Sequence, residues 1–377
     1  MRDNYPYCFL IGDGSLAFKE ICRSLRFSTH CNYIILSPEV PFEISAYIFM
    51  QWNNIDAFNV DEFLKEEELL YISCSENIIN FGKFKSQKEF EFILSNCKNS
   101  TENTSNYENI VEELKKGILL TDEKFSKLFL DYDVDKFNLD FLIDYEGCLN
   151  FLSGTIIYKN GSYRLIENDL HCSIQSNSAI QKNKNKDNNK IISIAVSRSG
   201  NIDLNENIIH SGWIILRSIG INIPLIIVQN LLKRKIKTFY FLNANQISYD
   251  EKLNKIKYKF SFDCLYFDLD ETLIWKGIPN KNLIKLLILF HKEKFSIKLI
   301  TRHKLSISNT INKIGLDENL FDEIIKVSPE QKKSSFVRGN SVFIDNEFPE
   351  RLDVLLNCSI PALDLDQIDF INEIRYD

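Results

Sequence analysis

The sequence predicts an α/β protein, and three observations carry that expectation. Apolar strand-like runs alternate with helical stretches throughout residues 260–377. A strand, a glycine-bearing turn, a helix and a second strand open the chain, and a hairpin signal stands in its middle. Such alternation predicts a mostly parallel sheet with helices on both faces.

The first element is "YCFLIG", 7–12, a short apolar run that reads as a buried strand. "DGSLAFKEICRSL" follows with helical periodicity, and "NYIILS", 32–37, is a second strand, so the crossover should be right-handed and the strands parallel. "DEFLKEEELLYISCS", 61–75, repeats helix then strand, and residues 85–145 read as mostly helical around an exposed loop at 96–109. In "GTIIYKNGSYRLIE", 154–167, Asn160-Gly161 supplies the two positive-φ positions of a type I′ hairpin turn. Residues 175–190 are polar and low in complexity, the composition of a loop. "IISIAV" and "GWIILRS" read as strands, and "PLIIVQNLLKRK", 224–235, as a helix with its proline in the first turn.

"SYDEKLNKIKYKF", 248–260, reads as a linker. Beyond it the rhythm is regular: strands at "CLYFDLD", "SIKLIT", "FDEIIKV", "SVFIDN" and "IPALDL", with helices at "NKNLIKLLILFHKEK", "LSISNTINKIG", "PEQKKSSFVRG", "RLDVLLN" and "QIDFINEI". With 377 residues, more than one core is expected. The expected division is an α/β domain at 1–125, a middle α/β region at 126–250 packed on it, and a further α/β domain at 258–377.

The bulk chemistry excludes several classes. A formal charge of -7 argues against nucleic acid or an anionic membrane as partner. The densest basic run, "LLKRKIK", 231–237, reads as a solvated helix end. No apolar run approaches the roughly 18 residues a membrane-spanning helix needs, so no membrane insertion is expected. The N-terminal apolar stretch is cut by Asp13, unlike a secretory signal. Nine scattered cysteines without a C-x-x-C pair suggest reduced thiols and a cytoplasmic setting, and the five histidines show no ligand spacing.

The polar residues at the strand ends carry the chemistry. Asp268 and Asp270 end the first strand of the last region, Thr301 and Arg302 the second, and Asp345 with Asn346 the fourth, while Lys332 and Lys333 precede a helix leading into that fourth strand. Ligands of open parallel sheets bind at such carboxyl ends. Paired carboxylates repel, and a hard divalent cation offsets that repulsion, so oxygen-rich ligands without thiolates point to Mg²⁺. One carboxylate oxygen is then available as a nucleophile towards phosphorus, and the second aspartate can exchange protons.

"FDLDETL", "LITRH", "KKSSF" and "VFIDNEFPER" resemble the four ordered motifs of the haloacid dehalogenase superfamily of phosphohydrolases, over roughly residues 260–377. The resemblance implies a capless hydrolase fold and a Mg²⁺-dependent phosphatase working through an aspartyl phosphate. It makes Asp268 the nucleophile and Asp270 the acid/base. Thr301 and Arg302 would bind substrate with Lys333, or Lys332 as the alternative, and the metal set would be Asp268, Asp270 through its backbone carbonyl, Asp345 and Asn346. Asn346 departs from relatives with two acids there and keeps a non-catalytic, pseudo-phosphatase binding protein in play. The implied ligand is a phosphorylated small molecule or carrier-linked substrate, and the wording is similar to phosphatase-like domains of bacterial surface-polysaccharide clusters. His303 reads as a loop residue that lines the substrate mouth, and Trp275 and Lys276 stand where relatives place specificity residues.

At the N-terminus Gly12, Gly14 and Ala17 fit G-x-G-x-x-[GA] after a strand, the pattern of a nucleotide-binding turn in a Rossmann-like domain. Asp13 opposes phosphate there, and a tight turn with close packing is the default. The same opening, with "LNFLSGTIIYKNG", 149–161, resembles formyltransferase-type folds, although Leu152 replaces their histidine. That resemblance implies a bifunctional formyl or acyl transferase with an accessory phosphatase as the alternative function. Oligomeric state is not legible in the sequence.

Overall fold

The computed structural model describes residues 5–28, 30–39, 50–65, 69–75, 78–98, 134–146, 149–158, 163–165, 190–197, 202–206, 212–234, 241, 247–250, 255–258, 261–275 and 277–373. The Asn160-Gly161 turn, residues 99–109 and 175–189, the basic residues at 235–237 and Lys276 lie outside the described residues. The chain has a mixed α/β architecture with parallel sheets and divides into two compact units. The first holds Met1–Arg217, Ile221–Thr238 and Ser248–Lys255, and the second Ser218–Gly220, Phe239–Ile247 and Ile256–Asp377.

In the first unit, β1 (Tyr7–Gly12), α1 (Leu16–Leu25) and β2 (Asn32–Ser37) form the expected parallel unit, with Phe9 opposite Ile34 and Ile11 opposite Leu36. Strands β3 (Met50–Asn54), β4 (Leu69–Ser75) and β5 (Ile78–Phe84) complete a sheet of order β3-β2-β1-β4-β5, in which only β5 runs antiparallel. The central strands are mostly apolar because both faces are covered: β2 is buried at all six positions. Phe9, Phe63, Phe84 and Phe90 of α2 (Gln87–Lys98) pack edge-to-face or tilted with centroids 5.4–5.8 Å apart. Burying each such ring contributes about 1.5–3 kcal/mol.

The turn after β1 has a structural reason for its glycines. A Cβ on Gly12 would stand 2.1 Å from the Phe18 ring, and Gly14 has φ +81°. Ser15 caps α1 by accepting from the Phe18 amide, and Asp13 Oδ1 accepts from the Ser15 amide at 2.9 Å. The turn's donors thus serve the helix, and the space beside Gly12 is filled by an aromatic ring.

An antiparallel sheet follows, built on β6 (Val134–Ile143), which pairs with β7 (Leu149–Tyr158) on one side and β9 (Lys190–Ser197) on the other. β8 (Tyr163–Leu165) pairs with β7, β10 (Ile202–Glu206) with β9, and β11 (Ile247–Asp250) with β8. The mostly helical expectation for 85–145 is corrected at β6, where Phe137, Leu139 and Phe141 are buried at a spacing of two, the period of a strand. "GWIILRS" is corrected in the other direction, to helix α3 (Gly212–Ser218). A short apolar run has no periodicity to separate buried helix from buried strand, and Trp213, Ile215 and Leu216 are all buried here. Arg217 in its last turn reaches Glu20 of α1 at 2.6 Å, a buried ion pair. Helix α4 (Ile223–Leu231) starts at Asn222, whose side chain accepts from the Leu225 amide.

The segment read as a linker carries β11 and then β12 (Lys255–Tyr258). The second unit contains β13 (Cys264–Phe267), a two-stranded ribbon of β14 (Ile274–Trp275) and β15 (Ile278–Pro279), and α5 (Lys281–Lys292). There follow β16 (Ser296–Thr301), α6 (Ile307–Lys313), β17 (Glu323–Lys326), β18 (Ser341–Ile344), α7 (Phe348–Cys358), β19 (Ala362–Leu363) and α8 (Ile368–Glu373). Its sheet is parallel throughout, with order β17-β16-β13-β18-β19. The chain builds outwards from β13 to β17 and then returns to the other side, so the strand order reverses between β13 and β18. Crevices at such reversals are where ligands of open α/β sheets sit. "PEQKKSSFVRG" is corrected from a helix to a single 3₁₀ turn at Lys333–Ser335.

Candidate functional site

Register brings the acidic strand ends together. Phe267 pairs with Ile344, so Asp268 and Asp345 each stand one residue past the paired ends of neighbouring central strands. The Asp268 amide donates to the Ile344 carbonyl at 3.0 Å and extends the ladder by one bond.

Lys333 closes the pair. Its Nζ donates to Asp268 Oδ1 and to Asp345 Oδ2, both at 2.7 Å, and the three residues are 3%, 5% and 0% exposed. Two carboxylates and one ammonium leave a net negative charge in a dry place when both acids are ionised. Burial pushes the Asp268 carboxyl up to about 7, and Asp345 adds to the rise against the opposing pull of Lys333. Burial disfavours the Lys333 ammonium, but Asp345 and Asp268 outweigh that and raise its pKa. Asp345 is anchored further, since the Glu347 amide donates to its Oδ1 at 2.8 Å and Arg351 donates to its carbonyl at 2.7 Å. Lys332 is exposed and donates to Asp353 at 2.8 Å, so the structure places Lys333, not its neighbour, between the carboxylates.

The other nominated residues have partners of their own. Thr301 is fully buried and its Oγ1 accepts from the His303 amide at 3.1 Å. Asp270, half exposed, is held by His303 Nδ1 at 2.9 and 3.1 Å, and His303 Nε2 reaches Thr310 Oγ1 at 2.8 Å. Asn346 Oδ1 accepts from Thr272 Oγ1 at 3.1 Å, and the Asn346 backbone N–H donates to the same hydroxyl oxygen at 3.2 Å. Arg302 pairs with Glu350 and donates to the Gln331 carbonyl, so its guanidinium is already engaged. Among the described residues no three His, Cys, Asp or Glu side chains surround one point. The carboxylates of Asp268 and Asp345 converge on Lys333, and that of Asp270 turns to His303.

Sequence reasoning missed two parts of this site. His303 binds Asp270 instead of merely lining an opening; its position two residues after Thr301, on the same side of an extended chain, was the available signal. The Thr272–Asn346 bond joins residues 74 positions apart, and no local pattern announces it. In the first unit, Leu152 lies buried in antiparallel strand β7, beside strand β6.

No family model matches the chain, and no curated protein matches it. The solved structures similar to it include an L-amino acid ligase from Bacillus licheniformis, at 12% identity and a TM-score of 0.30 over 62% of this chain and 75% of that one. An N5-carboxyaminoimidazole synthetase from Staphylococcus aureus is 9% identical with a TM-score of 0.31, over 63% of this chain and 79% of that one. A multifunctional pyruvate carboxylase from Rhizobium etli is 12% identical with a TM-score of 0.28, over 62% of this chain and 24% of that one. At these TM-scores the likenesses carry no activity over to this chain.

No family model supports the haloacid dehalogenase assignment, and the solved structures named above are ligases and carboxylases, so that assignment is withdrawn. The phosphatase reading falls with it, as do its hydrolase label, the surface-polysaccharide setting, the formyl or acyl transferase and the pseudo-phosphatase alternatives. At the site itself, Lys333 takes one oxygen of Asp268, and burial raises that carboxyl to about 7, so about half of it is ionised at pH 7. The capless arrangement and the Rossmann-like description are likewise withdrawn, and the α/β class stands. Among the described residues no helix is long and apolar enough to cross a membrane.

Proposed function

We propose that the carboxyl edge of the parallel sheet in the second unit binds a phosphorylated small molecule, free or carrier-linked, together with Mg²⁺. The observation that carries this reading is the buried excess of negative charge: Asp268 and Asp345 share the single ammonium of Lys333. Mg²⁺ is commonly held by one or two carboxylates plus ligand phosphate oxygens and water, so a pair of carboxylates without a third acid fits its habits. Asp268 and Asp345 would hold the ion, with the Asp270 carbonyl and the Asn346 amide oxygen as neutral oxygens nearby. When bound, the ion supplies a charge bridge between the carboxylates and the phosphate. The Lys333 ammonium and the Thr301 hydroxyl are the donors this chain contributes to phosphate oxygens.

The test is a melting-temperature series on the full chain with Mg²⁺ alone, inorganic phosphate alone, both together, and a panel of sugar phosphates and nucleotides. Mg²⁺ with a phosphorylated ligand should stabilise the protein beyond either component, by about 2.7 kcal/mol at a hundredfold excess over Kd. Asp345→Asn should lose that shift. A Mg²⁺-independent response, or an equal shift in the variant, overturns the reading.

A further inference from the structure

A second site stands in the first unit, where the edge strand β3 ends. Asn53 and Asn54 close that strand, and they line a hollow of about 310 Å³ together with Ala57, Phe58, Asn59 and Glu62 from the segment that follows. We infer that this hollow binds a neutral polyhydroxylated ligand the size of a monosaccharide.

The donor set argues for such a ligand. Asn53 Nδ2 is buried and finds no hydrogen-bond partner among the described residues. An unpaired buried amide donor costs about 1–3 kcal/mol, so an acceptor supplied from outside is worth a comparable amount. Asn54 Oδ1 accepts from the Asp56 amide and Asn59 Oδ1 from the Asp61 amide, each at 2.9 Å. Each carbonyl oxygen thus already accepts one bond from the chain, which orients the side chain, and the NH₂ ends are the donors offered to a ligand.

The remaining lining selects the ligand's charge. Among the described residues no Lys, Arg or His lines the hollow, and Glu62 brings a carboxylate to it, so a phosphate or carboxylate ligand would enter against repulsion. A hydroxyl accepts from an amide and donates to a carboxylate, which suits both kinds of group present. Phe58 adds an apolar surface for the C–H face of a sugar ring, and it is steadied by stacking on Phe63 at 5.7 Å and 26°. Amides, one carboxylate and one ring at a volume near the lower end of small-ligand pockets make a site for one small polar ring.

Saturation-transfer NMR on the full chain tests this with methyl α-D-glucopyranoside, methyl α-D-galactopyranoside and N-acetyl-D-glucosamine, and with succinate and glycylglycine as contrasts. At least one sugar should receive saturation, and neither contrast should. Asn53→Ala and Glu62→Gln should each weaken binding about tenfold, the effect of losing one well-made polar contact. Glu62 is exposed, so its variant remains informative if the Asn53 variant fails to fold by circular dichroism. Absence of transfer to every sugar, transfer to succinate or glycylglycine instead, or sugar binding unchanged in the Glu62 variant overturns the inference.

Discussion

Lys333 and Asp268 form a buried ion pair at 2.7 Å, with both side chains less than a tenth exposed. The same ammonium meets Asp345 at 2.7 Å, so a single cation stands between two acids that would otherwise repel in a poorly solvated place. That arrangement makes the stability of the second unit sensitive to charge.

Replacing Lys333 with methionine keeps the length and removes the charge. The variant should lose about 3–5 kcal/mol, the usual cost of leaving a buried charge without its partner. Urea denaturation at pH 8 measures it. Adding Asp268→Asn to the methionine variant should recover part of the loss; no recovery would show that Lys333 acts chiefly through packing on Phe343, whose ring centre lies 5.9 Å from Nζ.

Asp268 gives the stability a definite pH dependence. Its folded pKa of about 7 lies above the ordinary 3.8, so the native state holds a proton that the unfolded chain releases. The contribution is full below about pH 4 and is lost as pH rises through 7. Asp268→Asn has no proton to lose. Its stability should therefore gain on the wild type between pH 4 and 8 in metal-free buffer, as followed by the denaturation midpoint. Parallel pH curves for the two proteins would refute the assignment.

Gly12→Ala tests the opening turn. The new methyl would overlap the Phe18 ring, which is fully buried. Overpacking of this kind costs about 1–3 kcal/mol. A midpoint unchanged from wild type would mean that the ring shifts freely, and the packing account of this glycine would fail.

Much of the secondary structure was legible because its signals are local. The β1–α1–β2 unit rests on an apolar run, a turn and a helical period, and the regular alternation after residue 260 rests on the same cues. Those cues fail where a segment is apolar all round: nothing local distinguishes Gly212–Ser218 as a helix, since Trp213, Ile215 and Leu216 are simply all buried. They fail again at "PEQKKSSFVRG", where a helical period is spent on one 3₁₀ turn that carries Lys333 inwards.

The site divides in the same way. Acid at the ends of β13 and β18 was readable from the strands themselves, and parallel pairing makes those ends neighbours. Family and activity did not follow from that: four short motifs matched in words, and no family model matches the chain. Which lysine enters, that Asp270 turns to His303, and that Thr272 holds Asn346 depend on contacts between residues far apart in the chain. By itself the sequence determined strands, helices and an acidic sheet edge, because hydrophobic period and turn chemistry act over a few residues. Only the tertiary structure decided the partners of each charge, because burial and long-range pairing set the cost of leaving any of them alone.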